Sequence, residues 1–508
     1  MALLPMGALA RHHALRKPGD AVALSYPEGE LSWQALDARS SRRARLLQAR
    51  GVKAGDFVTL ALPNGLVLYE SVFAIWKLGA IPNVVSPRLA PAEAAAILDL
   101  VRPAVLIAEA GFGPSDAPRL PPDAALDGFD DAPFEPAPPA PYWKAMTSGG
   151  STGRPKVIVD HMAAVYDPDE PVFGQRVDDI ILNAGPLYHN APFAFAFRGL
   201  FCGARVVGTT HFDAEEALRL IARHRVAFTF LVPTMMHRIL ALPDELRRSL
   251  DVSSLRTVVH GASAAPEWLK EQWIGWLGPD VIWDMYGGTE SQGFTVINGR
   301  EWLTHRGSVG RLVTPGELRV LRDDGRVCAP GEIGEIYFMP AGGAGSTYHY
   351  LGAEPHRRAD GWETLGDLGW LDPEGYLYLA DRRTDLILRG GANIYPAEIE
   401  AALDAHQAVA SSLVIGLPHR DLGQSVHAMI EPRQGRSIDL VDLEAFLADR
   451  IAQFKLPQSY EFSAVPLRDH AGKARRQALR TEREQWLTEG REFKLLRPRA
   501  AAAAARPS

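Results

Sequence analysis

Asp56-Phe57-Val58-Thr59-Leu60-Ala61-Leu62, then Leu66–Leu78, then Ile81-Pro82-Asn83-Val84-Val85, is the stretch on which the fold class turns. The first run is short, apolar and β-branched and reads as a strand. The second is long enough for three helical turns, and the third is extended again. A helical stretch at Trp33–Arg50 precedes the series. Strand, helix and strand in alternation imply a parallel or mixed sheet with covering helices, so the chain is an α/β protein.

Working outward, residues 112–141 are rich in Pro, Ala and Asp and read as a loop. Beyond the glycine-rich segment at 147–156, strand and helix patterns alternate again to about residue 300. From Gly307 to Leu379 the pattern turns to short strands punctuated by Asp324-Gly325, Pro330-Gly331 and Glu374-Gly375, which suits a small β-rich subdomain. Asp381–Asp385 is a charged break. After it come a helix at Pro396–Asp404, strands at Ser411–Leu417 and His427–Glu431, and a helix at Leu440–Lys455, a compact α+β unit. The expected division is therefore a large N-terminal domain at 1–381, a small mobile C-terminal domain at 382–496 and a disordered tail at 497–508 ending in an alanine run.

The 508 residues carry a net charge of -7, with 46% hydrophobic and 23% charged residues. That balance excludes a general nucleic-acid surface, which needs clustered Lys and Arg. Cys202 and Cys328 lie far apart and match no metal or redox spacing, which suits a reducing compartment. The apolar stretch around Phe193–Ala204 is interrupted by Arg198 and is too short for a span of about 20 residues. Near the N-terminus the apolar residues precede Arg11 to Lys17, the reverse of a secretory signal, so a cytoplasmic protein is expected.

The first chemical signal is Thr147-Ser148-Gly149-Gly150-Ser151-Thr152-Gly153-Arg154-Pro155-Lys156. Its glycines let the backbone curl, its hydroxyls and amides can donate to phosphate oxygens, and its lysine adds charge. It is not a Walker loop, because no Gly-Lys-Ser/Thr stands at the required distance. It does match G-x-S-x-G around Ser151, yet Arg154-Pro155-Lys156 is a poor opening for the helix that a hydrolase nucleophile needs. Taken alone, an exposed glycine loop explains it as well as a phosphate site does. Further along come Tyr286-Gly287-Gly288-Thr289-Glu290 after an apolar strand, Gly366-Asp367, Asp381-Arg382, Gly390-Gly391-Ala392-Asn393-Ile394-Tyr395-Pro396, and Gly472-Lys473.

In this order, from about residue 10 to 490, the sequence resembles the superfamily of adenylate-forming enzymes: acyl-CoA synthetases, peptide-synthetase adenylation domains and beetle luciferases. Arg389–Glu400 and Leu417–Val426 look most like acyl- and aryl-CoA ligases. Pro186-Leu187-Tyr188-His189-Asn190 is similar to ligases for fatty, cyclic or bile-acid-type carboxylates.

The resemblance implies ATP and CoA as substrates, with Mg2+ as the ion. Thr147 through Gly153 and Lys156 would close over the ATP phosphates, with Gly149 standing where serine is more usual. Gly261, Ala262 and Ser263 would form one wall for adenine; Tyr286 would offer a ring, Asp284 an acceptor for the amino group, and Met285 and Gly287 the adjoining backbone. Thr289 would bond the α-phosphate and Glu290 would ligate the metal, which favours one or two carboxylates plus phosphate oxygens. Read without their neighbours, Thr289-Glu290 would be only a helix-start pair. Asp367 would accept from the ribose hydroxyls with Arg382 beside it, and Lys473 would bridge carboxylate and α-phosphate. His189 and Asn190, with Phe193, Gly287 and Gly288, would line the acyl site, and Gly390 and Gly391 the CoA tunnel. Phe197, Val232, Met235, His260 and Gln292 to Phe294 extend that pocket set, and glycines at 287 and 288 are expected to leave room for a bulky or ring-bearing acid. The pivot position is Thr384, where relatives carry Asp or Lys; a pivot need only absorb φ/ψ change.

The leading expectation is an acid–thiol ligase: carboxylate and ATP give acyl-AMP and pyrophosphate, then acyl-AMP and CoA give acyl-CoA and AMP. The alternatives are a stand-alone adenylating enzyme loading a carrier-protein thiol, a luciferase-like monooxygenase, a non-catalytic nucleotide- or acyl-binding protein on the same fold, and a serine hydrolase. Partners are small molecules, and a homodimer is an open arrangement.

Overall fold

The structure is a computed structural model and describes residues 3–113, 116–148, 155–171, 173–263, 265–382, 385–389, 392–419, 422–469 and 472–490. The expected tail from 497 lies outside the described residues.

The opening series forms as read. The strand Phe57–Ala61, the helix Leu66–Lys77 and the strand Ile81–Val84 follow one another, and the two strands pair in parallel. The helix is buried nearly all round because it is covered on one side by the helix Trp33–Ala49 and on the other by the sheet. Ser32 starts the Trp33–Ala49 helix by accepting from the Ala35 amide at 3.1 Å, a cap worth about 1 kcal/mol.

These strands belong to a seven-stranded sheet ordered 348–351, 156–160, 144–148, 81–84, 57–61, 105–108, 119–120. Its centre is parallel; the hairpin Lys144–Ser148 and Lys156–Asp160 is antiparallel. A second sheet of thirteen strands has a parallel half built from 22–26, 205–208, 180–183, 228–231, 257–261 and 282–287. One continuous apolar core joins the two sheets and their helices.

The β-rich stretch from Gly307 forms the antiparallel half of that second sheet. It joins the parallel half through Phe294–Asn298, which pairs antiparallel with Ile282–Gly287 on one side and Ser308–Leu312 on the other, and it has a small core of its own around Val320, Ile336, Phe338 and Leu377. Tyr348–Leu351 departs from it and pairs with Lys156–Asp160 of the seven-stranded sheet.

Beyond Asp385 a five-stranded sheet gathers 387–389, 392–394, 409–419, 423–432 and 459–462 around a separate core that includes Ile399, Leu403, Val414 and Tyr460. The helix Pro396–Asp404 has the expected bounds. The helix expected at 440–455 is two pieces, Leu440–Ala448 and a short 3-10 turn at Gln453–Lys455. Pro457 holds Leu456 in an extended conformation and so stops the second piece. A further helix, Arg476–Thr488, packs on this lobe through Leu479 and Trp486.

Candidate functional site

The strand Ile282–Gly287 presents the first group of residues. Gly261, its neighbour in parallel register with Met285, has no room for a side chain, because a Cβ there would lie 2.5 Å from the Met285 carbonyl oxygen. Ala262 then turns with φ +68°, a left-handed conformation that a non-glycine residue adopts at a cost. The Tyr286 hydroxyl donates to Asp367 Oδ2 at 2.8 Å, which joins the parallel strand to the strand Glu363–Leu371. Asp367 pairs in register with Arg382 across the hairpin 363–371 and 377–382.

Asp284 faces away into the interior, 7% exposed. Its carboxylate takes a short ion pair from Lys270, and His260 Nδ1 lies 3.6 Å away. Burial would raise the Asp284 carboxyl, but His260 and Lys270 outweigh it and hold the pKa below the usual range. Asp284 is thus first a buried partner of Lys270. A carboxylate has about four lone-pair sites, so its expected place at the adenine stays with the proposal below.

The second group surrounds Glu290, 7% exposed, in the turn that Thr289 opens and Ser291 (φ +55°) closes. Glu290 Oε1 accepts from the Tyr350 hydroxyl at 2.7 Å and lies 3.7 Å from Lys156 Nζ. The same ammonium stands 3.9 Å from the centroid of the Tyr350 ring. Thr147 is half-buried on the strand Lys144–Ser148, opposite Val157, and Ser148 pairs with Lys156 in the hairpin ladder. The base of this hairpin is clamped by a buried ion pair, Lys144 to Asp160 at 2.7 Å.

The third group reaches the site from the C-terminal lobe. Asp469 and Lys473 close a turn in which the Lys473 amide donates to Asp469 Oδ1 at 2.9 Å and the Asp469 amide to the Lys473 carbonyl at 2.9 Å. Gly472 at its apex has φ +74°, and a Cβ there would lie 2.8 Å from Thr234 Oγ1 and 3.3 Å from Ser263 Oγ. The turn therefore docks on the larger lobe beside the Gly261–Ser263 wall. His189 precedes the helix Asn190–Phe201 and is pushed down to a pKa of about 4 by burial and then by the Lys473 charge. It is a neutral ring next to an ammonium. Asn190 Oδ1 and Thr234 Oγ1 are buried here with no hydrogen-bond partner among the described residues.

Two expectations are corrected. Phe193 and Phe197 do not line a pocket: both are fully buried, their ring centroids 4.4 Å apart, in a cluster with Trp76 and Trp143. They lie on the inward face of the helix that His189 caps. The glycines at 287 and 288 do not hold space open for substrate either. A Cβ on Gly287 would lie 2.4 Å from Phe294 Cδ1, and one on Gly288 would lie 2.6 Å from Glu290 Oε2 and 2.8 Å from Leu365 Cδ1. Both positions are small because the protein itself fills the room.

Of the remaining site expectations, Gly149, Gly150, Ser151, Thr152, Gly153, Thr384, Gly390 and Gly391 lie outside the described residues, and of Ser148 and Arg382 only the backbone is described. Tyr350 and Lys270 were not singled out from the sequence. Tyr350 had only the aromatic alternation Tyr348-His349-Tyr350 to mark it, and Lys270 only a place in an ordinary amphipathic helix. Among the described residues no group of three or more His, Cys, Asp or Glu is arranged to hold a metal ion, and no helix is long and apolar enough to cross a membrane.

This two-sheet lobe, with a lysine-bearing turn docked on it from a small C-terminal lobe, is the architecture of the adenylate-forming enzymes. The chain belongs to the AMP-binding enzyme family: the family model matches residues 10–347, and that of the AMP-binding enzyme C-terminal domain matches 398–472. It is 31% identical to an indoleacetate–CoA ligase of Aromatoleum aromaticum over 92% of this chain and 96% of that one. It is 30% identical to a fatty acid–[acyl-carrier-protein] ligase of Streptomyces coeruleorubidus, over 92% and 94%. Among solved structures it is similar to the o-succinylbenzoate CoA synthetase of Bacillus subtilis in complex with its acyl-adenylate intermediate. There the TM-score is 0.79 and the identity 26%, covering 94% of this chain and 98% of that one.

Proposed function

We propose that the chain is an ATP-dependent carboxylate–CoA ligase acting on a hydrophobic, ring-bearing acid. The observation that carries the reading is the docking of the Asp469–Lys473 turn on Thr234 and Ser263, beside His189. The turn brings Lys473 of the second lobe beside His189 and the Gly261–Ser263 segment, which supports its delivery to a site shared with Tyr286, Asp367, Thr289 and Glu290.

In the first half-reaction the acid's carboxylate oxygen attacks the ATP α-phosphorus and pyrophosphate leaves. Lys473 offsets the charge that develops between the two anions, a contact worth most in a dry site where the donor is already in place. Lys156 and the 147–153 loop bind the β- and γ-phosphates. Asp367, oriented by Tyr286, accepts from the ribose hydroxyls; Gly261, Ala262, Ser263, Asp284, Met285 and Gly287 surround the base; Thr289 donates to the α-phosphate. Glu290 would hold Mg2+. It fits the ion, because Tyr350 occupies one of its oxygens while no described residue donates a hydrogen bond to the other. The bound ion neutralises phosphate charge.

In the second half-reaction the CoA thiol attacks the acyl carbonyl and AMP leaves. The lobe from about residue 382 would turn on Thr384, withdrawing Lys473 and bringing in Gly390 and Gly391 beside the pantetheine arm. His189 and Asn190 would line the acyl side. Neutral near pH 7, His189 serves there as a wall and takes no part in proton transfer. The aryl acids named for several relatives, among them indoleacetate, 2-succinylbenzoate and ferulate, support a ring-bearing substrate. The reading places the enzyme in the cytoplasm and leaves a homodimer open.

A second reading is supported by the Streptomyces coeruleorubidus relative, whose name assigns it a carrier-protein thiol. The test is pyrophosphate release across fatty, aryl, alicyclic and steroid acids, followed by thioester formation with free CoA against carrier proteins. An aryl acid giving pyrophosphate and an acyl-CoA is the expected result. Turnover with a carrier protein alone would favour the second reading, and no pyrophosphate with any acid would overturn both.

A further inference from the structure

We propose that Tyr350 is a positioning residue for adenylation, fixing Glu290 for a phosphate-bound divalent cation and seating Lys156 beside it. The inference rests on the ligase reading above. Tyr350 stands on the strand Tyr348–Leu351, opposite Ile158, so backbone hydrogen bonds tie it to the strand that begins with Lys156. It touches both partners at once: its hydroxyl donates to Glu290 Oε1 at 2.7 Å and its ring lies 3.9 Å from Lys156 Nζ.

The chemistry of each contact has a direction. A phenol O–H can only satisfy one carboxylate oxygen, and here it takes Oε1. Oε2 lies against Gly288, where a Cβ would be 2.6 Å away. A hydrogen bond to a carboxylate is among the stronger ones and fixes its orientation. The ring face attracts the Lys156 ammonium and holds it 3.7 Å from the same carboxylate. Tyr348 supports the arrangement, its ring edge-on to Tyr350 at 4.9 Å and its hydroxyl accepting from Gln292 Nε2 at 3.1 Å.

The experiment is a calorimetric titration of the full-length protein with ATP in MgCl2 and with ATP in EDTA, for wild type, Tyr350→Phe and Tyr350→Leu. Tyr350→Phe keeps the ring and loses the hydroxyl. It should weaken ATP binding in MgCl2 about tenfold, the effect of one charge-assisted hydrogen bond, and leave binding in EDTA and the melting temperature unchanged. Tyr350→Leu should lose the magnesium-dependent gain and also bind ATP more weakly in EDTA, because Lys156 has lost its platform. In a Glu290→Gln background Tyr350→Phe should have no further effect. A wild-type ratio of the two affinities in Tyr350→Phe, or an equal loss in both buffers with a lowered melting temperature, would overturn the proposal. Pyrophosphate release by wild type is measured alongside; if no acid gives it, the ligase reading fails while the two ATP titrations still decide the role of Tyr350.

Discussion

Tyr286 and Asp367 are 81 positions apart in the chain, yet the tyrosine hydroxyl meets Asp367 Oδ2 at 2.8 Å. The bond ties the end of a parallel strand to the antiparallel half of the same sheet.

Asp367→Ala should raise the apparent ATP constant and depress both half-reactions, since AMP stays bound through both. A hydrogen bond to a charged acceptor is worth about 1.5–3 kcal/mol, or roughly 10- to 150-fold in affinity. Tyr286→Phe should give a smaller change in the same direction, since it loosens the carboxylate without removing it. ATP titrations of both variants check this; unchanged ATP dependence in Asp367→Ala would leave the aspartate a turn residue.

Lys473→Ala should lose acyl-AMP formation by about 10²–10³ in rate and still convert supplied acyl-AMP and CoA to thioester. The two half-reactions are assayed separately. Equal losses in both would contradict the division of labour between the lobe's two orientations.

Gly288→Ala offers a direct check on the corrected pocket. The added Cβ would press on Glu290 Oε2 and Leu365, and overpacking of this kind costs about 1–3 kcal/mol. Adenylation should fall by the same factor for small and bulky acids, because the perturbed group is the carboxylate. Sparing of small acids with rejection of large ones would reinstate the reading in which the glycine makes room for substrate.

Stability should fall as the pH drops from about 6.5 to about 4. His13, His189, His237 and His260 are each held near 4, in every case chiefly by burial. In that window the unfolded chain takes up protons that the folded one refuses, and stability declines as pH falls. Asp404, raised to about 7 by burial, works in the opposite sense across the whole window and offsets part of the loss. Melting temperatures measured from pH 7 to 4 should decrease steadily; a flat profile down to pH 5 would contradict the assignment.

The fold was legible where local pattern and final environment agree. Leu66–Lys77 reads as a helix because it has the length and apolar content of one, and Pro396–Asp404 because proline opens it. The site was legible as a set of motifs, of which two pairs meet directly: Tyr286 with Asp367, and Lys156 with Glu290. What could not be read was anything set by approach between distant segments. Phe193 and Phe197 look the same in sequence whether they face a ligand or Trp76 and Trp143. A glycine such as Gly288 does not reveal whether substrate or Leu365 fills the space above it. Tyr350 becomes meaningful only when its strand crosses to Lys156.

That crossing also fixes an order of events. His161 and His349, 188 positions apart, meet at 2.8 Å where the strand Tyr348–Leu351 closes the seven-stranded sheet. Until the ribosome has delivered residue 351, Lys156–Asp160 is an open edge with apolar Val157, Ile158 and Val159 and unsatisfied amides, the kind of template on which chains join edge to edge. A long-range pairing is also paid for late in folding. The nascent chain therefore carries the 144–160 hairpin unsealed through the synthesis of nearly two hundred further residues. Fragments that end before Tyr348 should be insoluble even though they contain every strand of that sheet but one.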